Sequence, residues 1–212
     1  MQNIMIALEK SPGLPLTGYV LKVDLVHFRL SYSEDLKGYH CSILGYYYFD
    51  PVDARSGRER RSFARARVQN FYNSSMHFCR SFYHNQLAEN GYTLQSTCSS
   101  TEQGIPRSDY RFNLKAEYAE DSYGNRMLIL TKSSCNDFLI SYHENSRQRP
   151  VDLSYLDKDR STKKYSRLSF LSDTVRILPS GRIPENSLLF GGSIGEKRIA
   201  CLLPEDYIPS MQ

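Results

Sequence analysis

Residues 54–92, ARSGRERRSFARARVQNFYNSSMHFCRSFYHNQLAENGY, decide how the rest of the chain reads. Val68, Phe71, Tyr72, Met76, Cys79, Phe82, Tyr83 and Leu87 recur at steps of three and four, which makes one apolar stripe on a helix. Asn90-Gly91 is a helix stop signal. The pattern predicts a helical block over about residues 57–90, as one long helix or as two joined near Asn73-Ser74-Ser75. At 1.5 Å per residue roughly 30 residues would span about 45 Å if unbroken, which favours the break.

Outward from this block the period changes to two. In residues 17–33 Tyr19, Leu21, Val23 and Leu25 alternate with Val20, Lys22 and Asp24, so a strand is expected. Residues 33–38 read as a turn and residues 39–51 as the returning strand of a hairpin. Beyond Gly91, strands are expected at 92–95, 110–118, 127–131, 138–143, 168–171 and 174–178. Residues 144–167 are polar and aperiodic, and read as an exposed loop free to move. Near the end, Leu188-Leu189-Phe190 runs into a glycine-rich turn and a short C-terminal helix. Strands, a helical block and strands again give α+β order. The expected fold is one α+β domain over residues 1–212, a mostly antiparallel sheet packed against the helical block.

Composition narrows the function classes. Aromatic residues make up 12% of the chain, with 16 Tyr, 10 Phe and no Trp, a skew suited to half-buried sheet faces and binding faces. A net charge of +4 permits an acidic partner without demanding one. No apolar run approaches the ~20 residues that span a bilayer. The start, MQNIMIALEKSPGLPLTG, has no basic region, and Glu9 and Lys10 interrupt its apolar part, so no signal peptide is read there. Cys41, Cys79, Cys98, Cys135 and Cys201 lie too far apart for the close ligand pairs of a zinc site. Buried reduced thiols are the simplest reading, with one or two disulfides possible if the fold joins them.

Four motifs invite chemistry. Gly191-Gly192-Ser193-Ile194-Gly195 follows the G-x-S-x-G pattern of a nucleophile elbow. The elbow needs a histidine later in the chain, and the last histidine is His143. Ser193 therefore reads as a helix N-cap with Glu196 three residues on, a capping box. The same stretch fails as a phosphate loop, because Glu196 separates Gly195 from Lys197. His143-Glu144 lacks the second histidine of a zinc-peptidase helix. His77, Arg80 and His84 fall on one helix face, and Arg80 between the imidazoles would repel a cation, so no metal is assigned. Arg55, Arg58, Arg60, Arg61, Arg65 and Arg67 crowd the start of the block. With nearby rings they form a candidate nucleic-acid face, although a solvated or structural face is the plainer reading. The candidate binding face is His77, Arg80, His84, Arg60, Arg61 and Arg65. No catalytic residue and no cofactor are assigned.

Taken in order, LTGYVLKVDLVHF (16–28), ILGYYYFDPVD (43–53), SSMHFCRSFYHNQLAENGY (74–92) and GEKRIACLLPEDYIP (195–209) resemble the C-terminal region of carboxypeptidase-like regulatory-domain proteins, found in Gram-negative bacterial envelopes. The matching residues are Ser74 or Ser75, His77, Phe78, Arg80, Leu87, Gly91 and Tyr92, then Glu196, Lys197, Ala200, Leu203, Pro204, Asp206 and Tyr207. In that family a signal peptide and a small β-sandwich come first, so the resemblance implies that this chain corresponds to the downstream region alone. It implies no peptidase activity and brings no catalytic residues. It implies a non-enzymatic binding or structural module, periplasmic or outer-membrane associated, with a protein or another envelope component as partner. The alternatives are a hydrolase using Ser193 or the His77/His84 face, and nucleic-acid binding through Arg55–Arg67.

Overall fold

The computed structural model of the chain describes residues 3–6, 17–33, 38–98, 113–144, 163–185, 187–197 and 201–209. These residues are mainly antiparallel β, in three sheets, with helices of only 15, 9 and 4 residues. The expected α+β fold, with a long helical block packed on a sheet, is thereby corrected. The sequence reads as one domain over 1–212; the chain groups into two compact units, Met1–Asn70 with Ile199–Tyr207, and Phe71–Arg198 with Ile208–Gln212.

The first unit is built on a long ribbon. Strand β2 (Tyr19–Ser33) pairs antiparallel with β3 (Gly38–Pro51) along its length. Strand β1 (Asn3–Ile6) adds a third strand only opposite Leu21–Asp24. A bulge interrupts the ribbon, since Leu25 pairs with Gly45 while His27 pairs with the next residue, Leu44. Val26 is thus an extra residue, and the odd–even alternation of β2 reverses across it. Helix α1 (Gly57–Phe71) starts on a Ser-x-x-Glu cap that the sequence reading overlooked: Ser56 Oγ accepts the Glu59 N–H at 3.2 Å, and Glu59 reaches back to accept the N–H of Arg55, one residue before Ser56, at 2.6 Å. Phe63, Ala66 and Val68 are its buried side, as are Leu21 and Val23 at the base of the ribbon.

The second unit has two sheets and one core. One sheet is ordered β10 (Leu188–Gly191), β8 (Lys163–Phe170), β7 (Asp137–His143), β4 (Tyr92–Ser96). The other is ordered β5 (Leu114–Glu120), β6 (Arg126–Lys132), β9 (Thr174–Ile177). Alternation decides which side chains enter: Phe138, Ile140 and Tyr142 of β7 are buried, with Leu139 between them exposed. Cross-strand partners Phe138 and Leu168 in one sheet, and Leu130 and Val175 in the other, join the same core. Helix α2 (Ser75–Tyr83) closes it with Phe78, Cys79, Phe82 and Tyr83.

The break between two helices falls where the sequence offered it, at residues 73–75, whereas the second helix ends at Tyr83, well short of residue 90. Asn73 takes φ 55, in the left-handed region where Asn is among the few tolerated residues. Ser74 then caps α2 by accepting the His77 N–H at 3.1 Å. After Tyr83 the chain turns through Asn85, also at φ 55, so residues 84–90 are not a helix. The loop expected at 144–167 is corrected only at its end. Residues 163–167 open β8, and 145–162 lie outside the described residues. Ser166 occupies a core-facing position there, which hid the apolar alternation of a strand. The short C-terminal helix is the single turn α3 (Gly192–Gly195).

Candidate functional site

The second unit gathers its buried polar groups where α2 begins. His77 points inward at 4% exposure, against the rings of Phe71, Tyr72, Tyr92 and Tyr142 at centroid distances of 5.0, 5.2, 5.1 and 6.0 Å. Its Nδ1 accepts the Asn73 backbone N–H at 3.3 Å. A backbone amide can only donate, so Nδ1 carries the lone pair and the ring proton sits on Nε2. The Tyr92 hydroxyl, 2.9 Å from the same nitrogen, must then donate to it. Burial, then the charges of Lys197 and Arg80, push the His77 pKa down to about 3. The ring is neutral at physiological pH.

A second set of contacts extends from Asn73 to α3. Asn73 Nδ2 donates to Ser193 Oγ at 3.1 Å, and Ser193 Oγ lies 2.9 Å from Ser166 Oγ. Ser166 also accepts the Ile194 N–H at 3.0 Å. Lys197 donates to the Tyr72 carbonyl. Together these contacts brace Tyr72 and Asn73, β8 and α3 of the second unit against one another. The capping role expected of Ser193 is corrected: α3 is capped by Gly191, without a side-chain bond, so Ser193 lies inside the turn and Glu196 ends it. The glycines around Ser193 also have a packing reason. Gly192 has φ +66 and lies so close to β8 that a Cβ would come within 2.6 Å of the Tyr165 carbonyl; at Gly195 it would meet the Phe190 carbonyl at 2.3 Å. Thus G-x-S-x-G marks a tight turn against β8. Neither side chain bonded to Ser193 is a base, and none of its hydrogen bonds is to a histidine.

The residues grouped by sequence as one binding face do not share one environment. His77 is interior. Arg80 is half-buried, donates to the Ser180 carbonyl at 2.7 Å and lies 5.6 Å from the Phe71 ring centroid. His84 is exposed at the C-cap of α2, with its ring edge-on to Tyr83. Arg60, Arg61 and Arg65 are exposed on α1, in the first unit. Arg67 is committed internally, stacking over Tyr19 at 4.2 Å and donating to the Thr17 carbonyl at 2.7 Å. Among the described residues no three His, Cys, Asp or Glu cluster as a metal site would require.

The face that sequence reasoning missed lies on the ribbon. Cross-strand partners share a side of a sheet. Lys22, Asp24, His27 and Arg29 therefore lie on one side, and Leu21, Val23, Leu25, Phe28, Leu30 and Tyr32 on the other. The bulge at Val26 makes the second side one continuous apolar row. Leu21 and Val23 are buried at its base, whereas Phe28, Leu30 and Tyr32 are 54%, 58% and 56% exposed. The shift of apolar residues from odd to even positions between Leu25 and Phe28 was the available signal.

No family model, curated protein or solved structure matches this chain. Function therefore rests on geometry. Cys98 and Cys135 form a disulfide with Cα atoms 5.6 Å apart, joining the end of β4 to the start of β7. Cys79 is buried and free, its thiol pushed up to about 12 by burial. Among the described residues no helix is long and apolar enough to cross a membrane.

Proposed function

We propose that the chain is a non-enzymatic binding or structural module of a bacterial cell-envelope protein, akin to the C-terminal region of the carboxypeptidase-like regulatory-domain family. The observation that carries this reading is the ribbon: a row of large apolar side chains held in water by a structured strand pair. Such rows mark contact surfaces more often than they occur on solitary chains. The groups that could have served catalysis are engaged in bracing. His77 spends its lone pair on Asn73 and Tyr92, and Ser193 spends its hydroxyl on Asn73 and Ser166. The Cys98–Cys135 bridge favours an oxidising compartment, which agrees with the periplasmic side of an envelope.

A serine-reactive fluorophosphonate tests the non-enzymatic reading directly. The expected result is equal, background labelling of the native chain and of Ser193→Ala. A covalent adduct that Ser193→Ala abolishes would replace the module reading with a hydrolase. Against the nucleic-acid alternative, Arg67 of the arginine cluster serves the first unit's own packing, over the Tyr19 ring and on the Thr17 carbonyl.

A further inference from the structure

We propose that the distal half of the β2–β3 ribbon is a self-association surface, on which a second copy of this chain packs its own ribbon. The inference deepens the module reading by naming a partner. Among the described residues the third strand reaches no further than Asp24, and β2 and β3 continue as a pair for nine residues of β2, Leu25–Ser33. A two-stranded ribbon is marginal in water, and needs a further layer on its apolar face to be stable. Phe28, Leu30 and Tyr32 supply that face and remain more than half exposed.

Three features favour a second copy over another occupant. The order aromatic–aliphatic–aromatic is palindromic about Leu30. A two-fold axis there sets Leu30 on its own symmetry mate and Phe28 against the partner's Tyr32, the self-complementary arrangement of an isologous interface. The face has no charge among its described residues, while His27 and Arg29 lie on the opposite side. A surface for anionic lipid would need its cations beside the apolar row. The area points the same way. Each exposed side chain leaves on the order of 100 Å² in water, so with Val26 a pair of faces contributes about 800 Å². That is about half of the roughly 1,600 Å² of a standard interface, from four side chains of each copy alone.

The test is the mass of the full chain by sedimentation equilibrium, from about 1 to 100 µM. The expected result is a monomer–dimer equilibrium in this range. Leu30→Lys sets two like charges together at the axis and should raise the dissociation constant roughly 100-fold or more. Arg29→Ala, on the opposite side, should leave it unchanged. Far-UV circular dichroism of each variant separates lost association from lost folding, and Leu30→Met, which keeps the apolar contact, should still dimerise. A native chain monomeric at about 100 µM overturns the inference, as does a dimer that Leu30→Lys leaves intact. So does binding of the monomer to phosphatidylglycerol vesicles through Phe28 and Leu30. Because the fluorophosphonate result is independent of these masses, a monomeric but unreactive chain removes the dimer and leaves the module.

Discussion

His77 carries a pH signature inside the second unit. Spacing alone set it beside Arg80 and His84, because a helix period fixes which residues share a face but not whether that face looks outward. The physical difference lies in its neighbours: Tyr92 and Tyr142 come from strands far along the chain, and no local pattern announces them. Its folded pKa of about 3 lies below the ordinary histidine value near 6.5. The unfolded chain therefore binds a proton that the folded ring refuses, so stability is full above about pH 6.5 and falls as pH drops toward 3. Between pH 7 and pH 5 the loss should amount to about 2 kcal/mol. Asp137 acts in another window. Hydrogen bonding and charge from Arg167, with Ser169, lower its pKa, so its contribution is present above the ordinary carboxylate pKa and lost below it. Urea unfolding at pH 7 and pH 5 checks the assignment. His77→Gln keeps a polar group but cannot titrate in this range, and should flatten the slope whatever it does to absolute stability. An unchanged slope would mean that another group titrates there.

At the scale of elements, the hairpin over 17–51 was legible and its consequence was not. Alternation identifies a strand, but a bulge inverts the sides, and Val26 is an apolar residue that conceals the shift inside an apolar run. The helical block was legible in its break at residues 73–75 but not in its end after Tyr83. The apolar stripe continues in sequence through Leu87, yet Asn73 and Asn85 turn left-handed and Ser74 starts a new helix. Asn73-Ser74-Ser75 signalled the first break in sequence, whereas the turn at Asn85 showed only in its backbone conformation. Ser74 is the more testable of these residues, since its hydroxyl accepts from His77 N–H and donates to the Phe71 carbonyl at 2.6 Å. Ser74→Ala should cost about 1 kcal/mol, the usual loss for an N-cap, measured as a lowered urea midpoint. Ser74→Asp, which can still accept from the amide at a helix N-terminus, should recover part of it. A Ser74→Ala chain as stable as the native one would show that α2 is held by its packing alone.

For the whole molecule, the sequence favoured α+β because one strongly periodic helical segment outweighed many short strands. The strands of the second unit are short or interrupted by polar core positions such as Ser166, and pairing across distant segments leaves no local trace. Cysteine pairing is equally non-local, since Cys98 and Cys135 are 37 residues apart and neither lies in a recognisable motif. The bridge fastens the second unit at the end of β4 and the approach to β7, beside Thr97, whose N–H and hydroxyl both donate to the Asp137 carbonyl. Closing a loop of this length should restrict the unfolded chain by about 4 kcal/mol. Reduction, or replacement of both cysteines by Ala, should therefore lower stability by up to that amount. The effect should appear as faster amide exchange across the core strands β7 and β8, while the amides of α1, in the first unit, keep their rates. Mass spectrometry of the unreduced, proteolysed chain should recover a Cys98–Cys135 linked peptide with Cys79 alkylatable only after unfolding. A Cys79-containing bridge would break both the core assignment of Cys79 and the strand register that brings Cys98 to Cys135.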